Sequence, residues 1–135
     1  MTKKTDRKEI PRDDSARFAR VADGFYRAAE LALEHDYRGA AGLLFVHAGI
    51  AYADAVCIAR RGVRSSSDRH QDALTLFREA AGSEPGGDAA LGHLRRLLDE
   101  KSRLAYTGDE PTAAETAAFQ KHAARFRDWA SAILR

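Results

Sequence analysis

The segment from residue 37 to residue 61 constrains the fold more than any other part of this chain, because it is apolar almost all the way round a helix. A helix without a polar face has to be covered by its neighbours, so it is usually the central helix of its domain. The segment is also long enough to raise the question of a membrane span, but it contains His47 and Asp54, and a central aspartate is costly in lipid. We therefore expect the buried core helix of a bundle.

Four further stretches repeat apolar side chains at helical spacing, and no stretch shows the alternation of polar and apolar residues that is typical of a strand. The chain has 135 residues, 44% of them hydrophobic, which suits one globular domain. We therefore predict an all-α fold, a single four- or five-helix bundle over residues 13–135 that follows a disordered polar tail over residues 1–12. The expected helices cover about 13–35, 37–61, 66–81, 88–104 and 112 to the C-terminal end.

Two helix ends have clear sequence signals. Gly62 follows Arg60 and Arg61, which suit the negative end of a helix, and glycine is a common residue at the C-terminal cap. Thr112 is followed three residues later by Glu115, which is the spacing of a capping box. The helices that end and begin at these positions are therefore predicted with defined boundaries.

Net charge and cysteine content narrow the classes of function. The net charge is only +2, so any contact with RNA has to come from a local patch. The single Cys57 lies in an apolar run and is expected in the core of a protein from the reducing cytoplasm. The polar N-terminal segment argues against a signal peptide. The five histidines are scattered, without a Cys/His cluster, so we expect no metal site and no cofactor.

The segment Arg64-Ser-Ser-Ser-Asp-Arg-His70 carries the residues with the clearest chemistry. Arg64 can hold a phosphate through bidentate hydrogen bonds, and His70, with five residues between the two, can transfer a proton near neutral pH. The serines and Asp68 are explained by a capped helix start near Ser66. The alternative for His70 is a partly buried histidine whose ring nitrogens bond to backbone or to Asp54, and the spacing alone leaves both open.

Three other residues are candidates for a supporting role. Asp54 shares a face with His47 on the central helix, and there it either orients a histidine or is hydrogen-bonded within the core. Lys101 and Tyr106 lie near the end of the fourth predicted helix, beside a short run of basic residues. That run is either a solvated cationic face or a contact for nucleic acid.

These residues resemble the HEPN superfamily of small α-helical proteins. The resemblance rests on the alanine-rich residues 43–56, on Arg64 to His70 with the residues that follow, and on the stretch from Leu97 through Lys101 to Tyr106. With the last helix it covers most of residues 13–134. It implies a helical bundle that dimerises. Many HEPN proteins are metal-independent ribonucleases of toxin or defence type, with an arginine–histidine motif in a cleft at the dimer interface, and others bind a protein or a nucleotide without catalysis.

The leading hypothesis is therefore a HEPN-like homodimer that cleaves RNA without a metal ion. His70 would assist proton transfer from the 2′-hydroxyl and Arg64 would stabilise charge on the phosphate, supported by Asp54, Tyr106 and Lys101. RNA, a second copy of the chain and a protein partner such as an antitoxin are the expected partners, and a membrane is not. The alternative is a non-catalytic HEPN-like module that binds a partner protein or a nucleotide. An open cleft that holds both Arg64 and His70 favours the enzyme, whereas a dry, buried role for both favours the module.

Overall fold

Helices form most of the computed structural model, which describes residues 6–135. The helices are α1 (Ser15–Glu34), α2 (Arg38–Arg61), α3 (His70–Ala81), α4 (Gly87–Asp99), the short α5 (Lys101–Tyr106) and α6 (Ala113–Ile133), and a single 3₁₀ turn, Arg12–Asp14, precedes α1. The predicted all-α bundle is confirmed, with five longer helices and one short one.

The central position predicted for α2 is also confirmed, because α1, α3, α4 and α6 all pack against it. Its buried side chains point in every direction around the helix axis and include Phe45, Val46, Tyr52, Val56 and Ile58. Its length and hydropathy would allow it to cross a membrane, but most of it is buried within the bundle. This is the pattern of the core helix of a bundle.

A glycine in α2 brings α4 close to it. A Cβ atom on Gly49 would lie 2.8 Å from Cδ1 of Leu97, which is closer than real Cβ contacts come. The hydrogen-only side chain therefore sets the distance between the two helices. The same approach brings Leu94 and Leu98 of α4 to the edge of the site described below.

A two-stranded antiparallel sheet links the N-terminal segment to the residues that follow α2. Strand β1 (Arg7–Glu9) pairs with β2 (Val63–Ser65), and Lys8 lies opposite Arg64. The expectation that no strand would form is therefore wrong. The predicted disordered tail over residues 1–12 is also wrong where it covers β1, and residues 1–5 lie outside the described residues. Gly62 ends α2 with a φ of 65°, as its predicted capping role requires, and its carbonyl accepts a hydrogen bond from Ile10.

Two helix boundaries differ from their predictions. Helix α3 begins at His70 and not near Ser66, because Ser67 Oγ accepts a hydrogen bond from the Arg69 amide and donates one to Asp72, which holds the preceding loop out of the helix. The predicted helix over 88–104 is two helices, since the chain turns at Glu100 between α4 and α5. The capping box of Thr112 and Glu115 at the start of α6 is confirmed.

Candidate active site

A cavity of about 230 Å³ lies between α2, the β2–α3 loop, α3, α4 and the start of α5. Four of the residues singled out in the sequence line it, one from each of α2, β2, α3 and α5: Asp54, Arg64, His70 and Lys101. The fold thus brings together a carboxylate, a guanidinium, an imidazole and an ammonium group around one small space. A cavity with convergent ionisable groups is the usual starting hypothesis for an active site.

One part of the cavity wall is apolar. Ile50 and Cys57 lie one turn before and one turn after Asp54 on α2, and α4 adds Leu94 and Leu98. Burial raises the pKa of the Cys57 thiol to about 12, so Cys57 stays protonated and is a wall residue rather than a nucleophile. The cavity therefore offers apolar surface beside its charged groups.

Arg64 is held by the sheet and keeps an unused hydrogen-bond donor. Its backbone lies in β2 opposite Lys8, and its guanidinium carbon is 5.7 Å from the centre of the Phe18 ring. Its Nε is buried and has no hydrogen-bond partner among residues 6–135. A buried donor without an acceptor is costly, and a bound phosphate oxygen would satisfy it.

His70 is the first residue of α3, and its ring lies at the cavity without a hydrogen bond to any residue in 6–135. The structural alternative for this histidine requires a bond to backbone or to Asp54, and neither is present. The helix cap before it, Arg69, provides no side-chain hydrogen bond to the first turn of α3. Both the imidazole and the start of the helix are therefore available to a ligand with hydrogen-bond acceptors.

Asp54 lies in the cavity without an ion pair within 4.0 Å and without a hydrogen bond to the described residues. Burial raises the pKa of its carboxyl group to about 6, against the opposing effect of the positive charge on Arg64. Within residues 6–135, Asp54 has neither the bond to a histidine nor the core hydrogen bond that the sequence left as alternatives. Asp54 is instead a carboxylate that titrates just below neutral pH and faces an open space.

The remaining candidates divide between the cavity and its surroundings. Lys101 begins α5 and lines the cavity, whereas Tyr106 does not line it and is 83% exposed. Lys101 and Tyr106 are the first and the last residue of the six-residue α5. His47 also lies outside the lining, beside the Phe25 ring at 5.6 Å, and burial followed by the charge of Lys101 lowers its pKa.

Two lining features were not singled out in the sequence. Ser65 and its neighbours were interpreted only as helix caps, and Arg69 was given no role, yet both line the cavity. Their position between Arg64 and His70 was the signal that could have found them. Within residues 6–135, no group of three or more His, Cys, Asp or Glu side chains is arranged to hold a metal ion.

Comparison with family models, with curated proteins and with solved structures finds no match to this chain. The case for a function therefore rests on the cavity and its residues.

Proposed function

We propose that this protein is a metal-independent endoribonuclease of HEPN type that uses Arg64 and His70. The observation that carries the proposal is that both side chains line one cavity and that neither has a hydrogen bond to any residue in 6–135. Groups that serve only to stabilise a fold are normally paired. The resemblance to HEPN proteins adds the reaction type, and the single buried thiol fits a cytoplasmic enzyme.

In the proposed reaction His70 takes the proton from the 2′-hydroxyl of a ribose, and the 2′-oxygen attacks the adjacent phosphorus. The bond from phosphorus to the 5′-oxygen breaks, and that oxygen takes up a proton from solvent. The products are a 2′,3′-cyclic phosphate and a free 5′-hydroxyl. Arg64 binds the phosphate oxygens whose negative charge increases in the transition state, and Lys101 adds a positive charge at the same cavity.

The same proposal includes a homodimer in which the partner borders the cavity. Phe18 lies beside the Arg64 guanidinium, and Val21 and Phe25 follow on the same face of α1. Val21 is 51% exposed, so this apolar face is incompletely covered by the chain's own residues. A second copy of the face would cover it and would extend the walls around Arg64.

The test is cleavage of single-stranded RNA by the purified protein in the presence of EDTA. We expect fragments with 2′,3′-cyclic phosphate ends, and we expect Arg64→Ala and His70→Ala each to reduce the rate about 10²–10⁴-fold. Arg78→Ala and His35→Ala are matched controls, because both side chains are exposed and lie outside the cavity lining. Their rates should stay near that of the unmodified protein.

Cleavage that persists in both cavity variants would overturn the proposal. A folded protein that binds nucleotides in this cavity but cuts no RNA would favour the non-catalytic nucleotide-binding module instead. The exposed α1 face is tested separately by light scattering over a dilution series, in which a monomer at every concentration would contradict the dimer.

A further inference from the structure

The position of Asp54 is not explained by phosphate binding. A carboxylate repels a phosphate, yet Asp54 lies in the same cavity as Arg64 and Lys101 and makes no ion pair within 4.0 Å with either. Its neighbours on the face of α2 are the apolar Ile50 and Cys57. The carboxylate therefore marks a part of the cavity with a different chemical preference from the phosphate-binding part.

That part suits a nucleobase. A base has flat apolar faces and a polar edge, so it is held by apolar walls and read by hydrogen bonds to its edge. Leu94 and Leu98 of α4, together with Ile50, supply apolar walls, and Asp54, one turn after Ile50 on α2, supplies a polar group in the same cavity. The volume of about 230 Å³ is below the roughly 300–1,000 Å³ of pockets for drug-sized ligands, so it suits one small group such as a single base.

An ionised carboxylate only accepts hydrogen bonds, which decides which base it prefers. Guanine presents two adjacent donors on its Watson–Crick edge, the N1–H and the N2 amino group. Adenine and cytosine each present one donor beside an acceptor, and uracil presents one donor between two acceptors. Two parallel hydrogen bonds to both oxygens of a carboxylate are therefore available to guanine alone.

We infer that this part of the cavity is a base-specificity site in which Asp54 selects guanine, so that the protein cuts RNA at bonds next to guanosine. The inference rests on the proposed ribonuclease function, because Arg64 and Lys101 hold the phosphate that is attached to the selected nucleoside. Asp54 is thus a specificity-determining residue and takes no part in proton transfer.

The decisive experiment is a calorimetric titration of the full chain with nucleoside 3′-monophosphates, above the pH range in which Asp54 titrates. We expect the guanosine nucleotide to bind at least about tenfold more tightly than the adenosine, cytidine and uridine nucleotides, since each bond to a charged group contributes about this factor. The inosine nucleotide, which differs only by lacking the N2 amino group, should lose about tenfold relative to guanosine. This comparison needs no variant of the protein.

The variant Asp54→Asn then tests the residue. It should bind the guanosine nucleotide no better than the others, while the uridine nucleotide binds as well as before or better because a negative charge is gone. Asp99→Asn is the matched control, since Asp99 is exposed at the end of α4 and lies outside the cavity lining. It should keep the preference for guanosine.

Equal binding of all the nucleotides, or a guanosine preference that survives Asp54→Asn, would overturn the inference. Asp54→Asn that slows cleavage next to every base alike, with unchanged nucleotide affinities, would assign proton transfer to Asp54 and would also overturn it. Equal cleavage of RNA next to every base would support the ribonuclease function but contradict the guanine specificity. Guanosine-selective binding without cleavage would support the base-specificity site and contradict the ribonuclease function. No binding of any nucleotide would contradict both.

Discussion

Two arginines of this protein, Arg64 and Arg103, show how differently the bundle treats the same side chain. Arg103 donates from Nε to Glu100 at 2.9 Å and from a terminal nitrogen to Glu115 at 2.8 Å. Glu115 in turn caps α6 together with Thr112. Arg64 has a buried Nε from which no described residue accepts a hydrogen bond, and the carboxylate that shares its cavity, Asp54, is further than 4.0 Å away.

The difference separates charges that hold helix ends from charges that are kept available. We call Arg103, Glu100, Glu115 and Thr112 the Arg103 cluster. Its groups satisfy one another at the junction of α5 and α6, whereas the side chains of Asp54, Arg64, His70 and Lys101 line the cavity without a hydrogen bond or an ion pair to any residue in 6–135. Unpaired buried polar groups lower stability, and such groups often occur at functional sites.

The largest expected effect, on the rate of RNA cleavage, comes from replacing each of the two arginines with alanine. Arg64→Ala should reduce RNA cleavage about 10²–10⁴-fold, because charge stabilisation at the phosphate is lost, while the thermal midpoint Tm changes little. Arg103→Ala should leave the cleavage rate near normal. Cleavage assays and thermal melts on both variants decide this. An Arg64→Ala protein that unfolds far more easily would assign Arg64 to the fold, and the comparison would then break.

A second prediction concerns the stability cost of Asp54. Its pKa rises on folding from 3.8 to about 6, so the folded state binds the proton more tightly, and the ionised group destabilises the protein above that range. Asp54→Asn should therefore stabilise the protein near neutral pH by up to about 3 kcal/mol, at roughly 1.4 kcal/mol per pKa unit. The gain should vanish below the ordinary pKa of 3.8. Urea denaturation at both ends of this range measures it, and a loss of stability at neutral pH would show that Asp54 has a partner to lose.

Removing one member of the Arg103 cluster should lower the Tm only slightly, by an amount that depends on the salt concentration. Glu115→Ala removes the carboxylate that accepts hydrogen bonds from the Thr112 amide and from Arg103, so Tm should fall slightly, and less so in high salt. Asp99→Ala, an exposed acidic residue at the end of α4, is the comparison for a charge change alone. A Tm unchanged by Glu115→Ala at low salt would mean that the cluster does not hold the start of α6.

The smallest effect on stability is expected from His93 and His122, whose Nδ1 atoms are 2.9 Å apart between α4 and α6. Burial lowers the pKa of both, and nearby Arg96, Lys121 and Arg125 lower them further. The neutral pair is thus favoured in the folded state, and its contribution is complete above the ordinary pKa of 6.5 and lost as the pH falls below it.

Asp54 acts in the opposite direction over an overlapping pH range, so this prediction is tested in Asp54→Asn protein. Its stability should fall on acidification below the ordinary histidine pKa. The double variant that adds His122→Gln should show a flatter profile. Equal slopes in the two proteins would show that the histidine pair does not contribute.

The sequence predicted those parts of the fold that depend on local pattern. The all-round apolarity of α2 placed it at the centre, and the spacing of Thr112 and Glu115 located the start of α6. Strand β1 was missed because three residues carry no periodicity, and its partner lies far along the chain. The turn at Glu100, which divides the predicted helix over 88–104 into α4 and α5, was missed as well.

For the candidate site, too, the sequence predicted what depends on local pattern and missed what depends on packing. Arg64 and His70 stood out because both have useful chemistry within one short segment, but their freedom from partners depends on packing that no local pattern encodes. The placement of Asp54 at the cavity depends on how α3 and α4 sit against α2. Spacing along a helix shows which face a residue shares, and only the packed bundle shows what that face meets.

The most direct test of the account is to observe the Nε–H groups of Arg64 and Arg103 by NMR while a nucleoside 3′-monophosphate is added. If the cavity is a phosphate-binding active site, the Arg64 resonance shifts and becomes protected from exchange as its buried Nε gains an acceptor. The Arg103 resonance, already bonded to Glu100, stays where it is. An Arg64 resonance that does not move at saturating nucleotide, or arginine resonances that all move alike, would contradict the claim that the unpaired charges of this cavity are kept for a nucleotide.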